Sequence, residues 1–324
     1  MALTYFERGS LSYLVLNPAK AAGDDFYPSK GVYVQLLPGT YFDDSAAPDT
    51  FFAAQGLPEP TGILDTIVAP VLRVETYATD ALMTLVALNG MLGLGGDTYR
   101  ETDTDMLTKV GGAIQFRFGG ASATAYRWTN WKVGSLTFSW SPASDPGLRV
   151  SMTILPFGRR ETPAAPAEGV NKHWGRPWSA AAVSYNGTLS EVQSGSLAFN
   201  NGMLPDLTTP MTLDDFADHI RYMPNDYING PLSCALSVVQ SRKAQAQKAG
   251  TETTAVTTAL TPPQVVFKSP GANPDFTLTF TIQTIHPETG RAVEVPGTNL
   301  ITRTYRNFPN TVSGIPSVTL AASP

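Results

Sequence analysis

A single cysteine, Cys234, stands among 324 residues, so the chain cannot close a disulfide within itself. Histidine is almost as scarce. His173, His219 and His286 are the three present, and the side chain most used for proton transfer near neutral pH has few places to act. Charged residues make up only 15% of the chain, and acids outnumber bases to give a net charge of -5. Basic residues run to doublets at most, as at Arg159-Arg160 and Arg242-Lys243. A protein that grips nucleic acid by its phosphates needs clustered Lys and Arg, so that class is disfavoured. No apolar run approaches the ~20 residues that a membrane-spanning helix requires. The first residues lack the cationic start and apolar stretch of a signal peptide, so the expectation is a chain made in a cytoplasm, without membrane insertion.

What the chain has instead is glycine and proline, 28 and 26 of them, with abundant Ser and Thr. That composition favours many strands joined by turns. At 324 residues the chain exceeds the usual ~100 to 150 of one domain, so two domains are expected. The break is placed in the Pro- and Ala-rich segment 162–177, which ends in His173-Trp174-Gly175-Arg176-Pro177-Trp178 and reads as a linker with an aromatic anchor. This gives domains of 1–165 and 166–324.

Alternating apolar and polar residues mark strands at 11–16, 32–37, 63–77, 114–118, 148–154, 232–238 and 276–285. Thr79-Asp80 resembles a helix N-cap with an acidic first turn, ahead of a largely apolar helix over 81–91 that the following glycines stop. Shorter helices are expected at 212–220 and 241–250, and a hairpin over 183–200 turning at Asn186-Gly187. The segment 38–61 holds Tyr41, Phe42, Phe51 and Phe52 among Gly, Pro and Asp. It reads as a loop that docks on something, with packing back on its own domain as the alternative. The tail from Thr311 has little to anchor it and is expected to be loose or swapped onto a neighbour.

Candidate chemistry is thin. His219 follows Asp214, Asp215 and Asp218, but a capped acidic helix start accounts for these residues without a metal. The glycine-rich stretch 90–97 follows a helix, so no helix N-terminus is set to hold a phosphate. Cys234 lies on the apolar side of its strand, as a small core residue does, and Asn186-Gly187-Thr188 is explained by a turn. No catalytic, cofactor or metal site is expected, and an enzyme is disfavoured. Trp128, Trp131, Trp174 and Trp178 lie near segment ends, where aromatic side chains fill interfaces or stack on sugars. Interface burial is favoured, with Trp174 and Trp178 as the candidates.

Two stretches echo each other. Lys132-Val133-Gly134-Ser135-Leu136-Thr137-Phe138-Ser139-Trp140 and Val192-Gln193-Ser194-Gly195-Ser196-Leu197-Ala198-Phe199-Asn200 share Gly-Ser-Leu-x-Phe. Each alternates as a half-buried strand does, and the echo suggests two related β units. Followed by Asn201 and by Ile220-Arg-Tyr-Met-Pro-Asn-Asp-Tyr-Ile-Asn-Gly-Pro-Leu-Ser-Cys234, this order of segments resembles the major tail tube proteins of long-tailed bacteriophages, over roughly 77–308. The resemblance implies a mainly β fold with a few helices, as two tail-tube-like β-sandwich units whose strands close into an inter-subunit barrel. It implies stacked rings forming a hollow tube for DNA in a virion tail, with tape measure and tail-end proteins as partners. A trimeric ring with pseudo-sixfold symmetry is expected in preference to a hexamer. Closing strands across subunits removes sheet edges that would otherwise aggregate. Ring stacking is assigned to Tyr41, Phe42, Phe51 and Phe52, and the lumen to Thr277, Thr279 and Thr281 on the longest alternating strand. The competing expectation is a two-domain surface module of a virion that binds carbohydrate or a receptor.

Overall fold

The computed structural model describes residues 13–16, 32–43, 49–51, 62–64, 69–80, 82–83, 98–99, 113–118, 125–161, 177–184, 192–205, 212–214, 221–224, 226–228, 233–241, 264–270, 276–281, 293–294, 300–306 and 317–322. Strands dominate them. In the first half these are β1 (Tyr13–Leu16), β2 (Val32–Tyr33), β3 (Tyr41–Asp43), β4 (Asp49–Phe51), β5 (Gly62–Leu64), β6 (Val71–Tyr77), β7 (Thr98–Tyr99), β8 (Ile114–Arg117), β9 (Ala125–Ser141) and β10 (Asp145–Glu161). There follow β11 (Ser179–Ser184), β12 (Val192–Asn200), β13 (Leu204–Pro205), β14 (Thr212–Asp214), β15 (Arg221–Met223), β16 (Tyr227–Ile228) and β17 (Ser233–Ser241). The last are β18 (Gln264–Lys268), β19 (Phe276–Thr281), β20 (Val293–Glu294), β21 (Leu300–Arg306) and β22 (Ser317–Ala322).

The 17-residue strand β9 organises the main, eleven-stranded sheet. β10 runs antiparallel along one edge for its length. The other edge is shared: β8 pairs with the segment 125–128 and β12 with 135–140. From β12 the sheet continues through β17 to β21 and β20, and from β10 through β6 to β3. The sheet curls into half a barrel. Where the shared edge changes partner, the register of β9 against β10 slips by one residue at Gly134. Asn201, just past β12, closes the gap. Its backbone N–H donates to the Gly134 carbonyl at 2.9 Å and its buried amide to the Val133 carbonyl at 2.6 Å.

A five-stranded sheet, β11-β18-β19-β22-β7, packs on the main one. Phe267 of β18 meets Phe138 at 5.2 Å between ring centroids and the edge of Trp140 at 5.7 Å. One buried cluster takes in Leu14 and Phe116, Leu136 and Phe138, Leu197 and Phe199, Leu236, Val265 and Phe267. Strands from both sides of residue 165 thus share a sheet and a core.

The echo strands are neighbours. Leu197 pairs with Phe138 and Phe199 with Leu136, so the two copies of Gly-Ser-Leu-x-Phe run antiparallel about a local dyad at the Thr137–Ala198 pair. A stretch that places Leu and Phe on one face, laid against its own likeness, matches large side chains to large ones across the strands.

Several expectations need correcting. Residues 212–214 form a strand, β14, paired with β15, and are not helical. The hairpin expected over 183–200 does not form: β11 pairs with β18 in the smaller sheet, while β12 pairs with β9 and β17 in the main one. The apolar residues of each strand are drawn to different partners, and the turn dipeptide at 186–187 lies outside the described residues. Residues 317–322 of the tail are held in place, since β22 pairs with β19 along them, matching Leu320 to Leu278 and Val318 to Phe280; the tail's other residues lie outside the described ones. The segment 38–61 contributes β3 to the main sheet and β4 to a pair with β5. Leu37 to Thr40 make a tight turn with Pro38 and Gly39 at its centre. Gly39 has φ +102, and the Thr40 N–H donates to the Leu37 carbonyl at 3.2 Å. Thr79 caps a helical start as expected: its Oγ1 accepts from the Leu82 N–H and its carbonyl from the Met83 N–H at 2.8 Å. The rest of the helix expected over 81–91 lies outside the described residues; of the helix expected over 241–250, Ser241 is the last residue of β17 and the others lie outside them.

Candidate functional site

The outward face of the main sheet is built by the same alternation that buries Leu136, Phe138, Leu197, Phe199 and Leu236. Three rows cross it. One runs Arg149, Ser139, Ser196, Ser237, Thr304; the next Glu75, Ser151, Thr137, Ala198, Ala235; the third Arg73, Thr153, Ser135, Asn200, Ser233. On β9, β12 and β17 all nine of these positions are neutral and small, eight of them Ser, Thr or Ala. In these rows charge stands at the β6–β10 margin and at Arg306, the β21 partner of Ala235. At strand spacing of ~4.8 Å, five strands make this face roughly 20 Å wide. The hydroxyls bond among themselves and to the margin: Ser135 Oγ donates to Thr153 Oγ1 at 2.9 Å and Ser151 Oγ to Glu75 Oε1 at 2.6 Å. Sequence reasoning saw each strand's polar side singly and missed that four of them form one surface.

Thr277, Thr279 and Thr281 belong to the other sheet. Register aligns them with Lys268, Val266 and Gln264, the positions of β18 that alternate with buried Val265 and Phe267.

At one end of the main face a small ribbon folds over it. Tyr227 of β16 is buried with Leu155 and Phe157. Below it Lys132, 5% exposed, donates from Nζ to Asp226 Oδ1 and to the Tyr227 carbonyl, each at 2.7 Å, with the Phe157 ring 5.8 Å away. The Gly158 N–H adds a bond to the Pro224 carbonyl. Burial pushes the Tyr227 phenol up, and its hydroxyl has no hydrogen-bond partner among the described residues. Lys132 and Asp226 are 94 positions apart, and the one hint in the sequence is a lysine set between Trp131 and Val133 in a strand.

The aromatic candidates divide. Phe42 turns inward, with ring centroids 4.9 Å from Phe116, 5.1 Å from Tyr126 and 5.5 Å from Trp128, so it packs on its own chain. Tyr41, next along β3, is exposed, and the Arg73 guanidinium sits 5.6 Å from its ring. Phe51 lies on β4, and Phe52 and Trp174 lie outside the described residues. Trp178 is buried within the chain. Its Nε1 donates to Asp80 Oδ1 at 2.6 Å, its N–H to the Ala78 carbonyl, and its carbonyl accepts from the Leu148 N–H. It joins the segment after the expected linker to β6 and β10, inside one chain.

A groove of about 360 Å³ opens where β9 turns into β10, lined by Ser139, Trp140, Ser141, Ser144, Asp145, Gly147 and Arg149. Its charges are committed to the turn. Asp145 accepts from Tyr77 Oη at 2.8 Å, Arg149 Nε at 2.7 Å and the Gly147 N–H at 3.0 Å. Partial burial pushes the Asp145 carboxyl up, but the bonds from Arg149, Gly147 and Tyr77 outweigh it and hold the group below its ordinary value. The same bond raises the Tyr77 phenol.

Cys234 is buried, which pushes its thiol far up and leaves little of the reactive thiolate. Among the described residues no group of three or more His, Cys, Asp or Glu is placed to hold a metal. Among them, too, no helix is long and apolar enough to cross a membrane. No protein-family model matches the chain, and no curated protein matches it.

Proposed function

We propose that this chain is the subunit of a hollow tube, a major tail tube protein of the kind found in long-tailed bacteriophages. Its rings stack into a conduit through which DNA passes to the host. The observation that carries the reading is the outward face of β9, β12 and β17. Its nine positions in the three rows are neutral and mostly hydroxyl-bearing, on a chain that is acidic overall. A wall that DNA must slide past works best if it binds phosphate nowhere, because each Lys or Arg contact would release counterions and hold the strand. This face is a better lumen candidate than Thr277, Thr279 and Thr281, whose row includes Lys268.

In this reading two tail-tube-like β-sandwich units per chain close their strands with those of neighbours into a barrel. Chain length favours a trimeric ring with pseudo-sixfold symmetry over a ring of six. The echo does not bear on that count, since its two strands are partners in one sheet. Tape measure and tail-end proteins are the partners, and the virion tail is the location.

Negative-stain electron microscopy of the purified protein across a concentration series tests the proposal. Rings or hollow filaments are expected, and their rotational symmetry gives the number of chains. A monomer that persists at high concentration overturns it and favours a surface binding module. In assembled virions, Thr137→Lys with Ser196→Lys is expected to leave tubes intact and slow DNA release.

A further inference from the structure

Among the described residues three large apolar side chains stand exposed: Leu204 at 68%, Ile228 at 53% and Tyr41 at 45%. Leu204 and Ile228 are direct cross-strand partners on the β13–β16 ribbon. Tyr227 turns beneath the ribbon, so its neighbour Ile228 turns away. Strands of two residues add little stability of their own. What holds this ribbon lies under it, in the bonds of Lys132 to Asp226 and to the Tyr227 carbonyl. The outward aliphatic pair takes no part in that anchoring and is left in water. Two residues before Ile228 in the chain, the Asp226 carboxylate is 46% exposed and bonded through Oδ1 to Lys132 and to the Tyr227 N–H.

The third exposed residue has the opposite company. Tyr41 lies beside Arg73, whose side chain is exposed and whose guanidinium faces the Tyr41 ring. One patch offers aliphatic surface and an anion, the other aromatic surface and a cation. They are complementary in charge, and Tyr and Arg are the residue types that interfaces enrich as anchors.

We infer that a second copy of this chain seats its Tyr41 and Arg73 on the Leu204–Ile228 pair and the Asp226 carboxylate of the first. The inference rests on the self-assembling reading above. Because the two patches are different surfaces, the contact is heterologous and repeats from copy to copy into a closed ring or a stack.

The test uses Tyr41→Cys and Leu204→Cys chains, each purified alone, mixed and treated with a short bismaleimide, then read by denaturing gel and peptide mass spectrometry. Cys234 stays in place, being buried. A crosslink between the two variants, several-fold more abundant than either self-crosslink, is expected. A mixture no better linked than a control pair made with the exposed Asn200→Cys overturns the contact. Sedimentation of the wild-type chain keeps the two readings apart. Rings without the mixed crosslink overturn this contact alone, whereas mixed crosslinks in a chain that never exceeds a dimer support the pairing of the two patches and overturn both its repetition and the tube. Arg73→Glu is expected to weaken association at least tenfold with an unchanged melting temperature, and unaltered association overturns the contact.

Discussion

The Trp140 indole covers Gly195, its cross-strand partner, and occupies the space that a side chain there would fill. A Cβ on Gly195 would meet Trp140 Cζ2 and lie 2.8 Å from the Ser237 carbonyl oxygen on the strand beyond. Gly195→Ala is therefore expected to destabilise the fold at or above the upper end of the ~1–3 kcal/mol typical of overpacking. Adding Trp140→Leu recovers part of the loss and no more, because the backbone clash with Ser237 remains. Urea unfolding of the single and double variants measures both.

Asn201 and Asn200 are adjacent and play different parts. Asn201 is buried and bonds the Val133 carbonyl at the point where β9 changes partner, whereas Asn200 is exposed and bonds the Gly202 N–H. Asn201→Ala is expected to cost about 1–3 kcal/mol, since it strands a buried acceptor. Asn200→Ala should cost within ~0.5 kcal/mol, as surface changes usually do. Equal losses in denaturant melts would contradict the bridging part assigned to Asn201.

For the pair under the ribbon, the order of effects is the prediction. Asp226→Ala leaves the buried Lys132 ammonium without its counter-ion, while Lys132→Met keeps a long apolar side chain against Leu155 and Phe157 and frees a half-exposed carboxylate to water. Removing the acid is expected to destabilise more than replacing the base. Thermal melts of the two variants decide it.

The Asp145 carboxyl is held below its ordinary value in the folded chain. Its contribution is complete above the unfolded value of ~3.9 and is lost as pH falls through the folded pKa. Tyr77, raised by its bond to Asp145, contributes in the opposite sense: in full below the ordinary phenol value, and lost as pH rises through the folded one. Melting temperature against pH should fall less steeply on the acid side for Asp145→Asn than for the wild type. Parallel curves would show that the turn adds nothing to acid sensitivity.

Strands long enough to alternate several times were legible. The two echo segments, 114–118, 148–154 and 232–238 all emerged as strands, and the Thr79 cap formed, because each is specified by residues within one or two turns of itself. The three residues 212–214 were not legible, since a Thr-Leu-Asp triplet carries too little pattern to compete with an acidic helix start. The pairing of β11 away from β12 was hidden for another reason. Nothing in 183–200 states that Val183 belongs with Val265 and Leu197 with Phe138, a choice made by strands far along the chain. The hydroxyl face and the Lys132–Asp226 pair were invisible on the same ground, being properties of register between distant segments.

The smaller sheet ties Thr98 and Tyr99 to Thr319 and Val318, and seats β19 against β22. During synthesis β19 must therefore wait, one edge bare, until residue 322 has cleared the ribosome, by which time the long β9–β10 hairpin has had its partners for some while. Pairings this distant in sequence are slow to form and leave edges open to the wrong neighbour. The small sheet closes late for the same reason, and deleting the six residues of β22 is expected to bare an edge of β19 and raise aggregation.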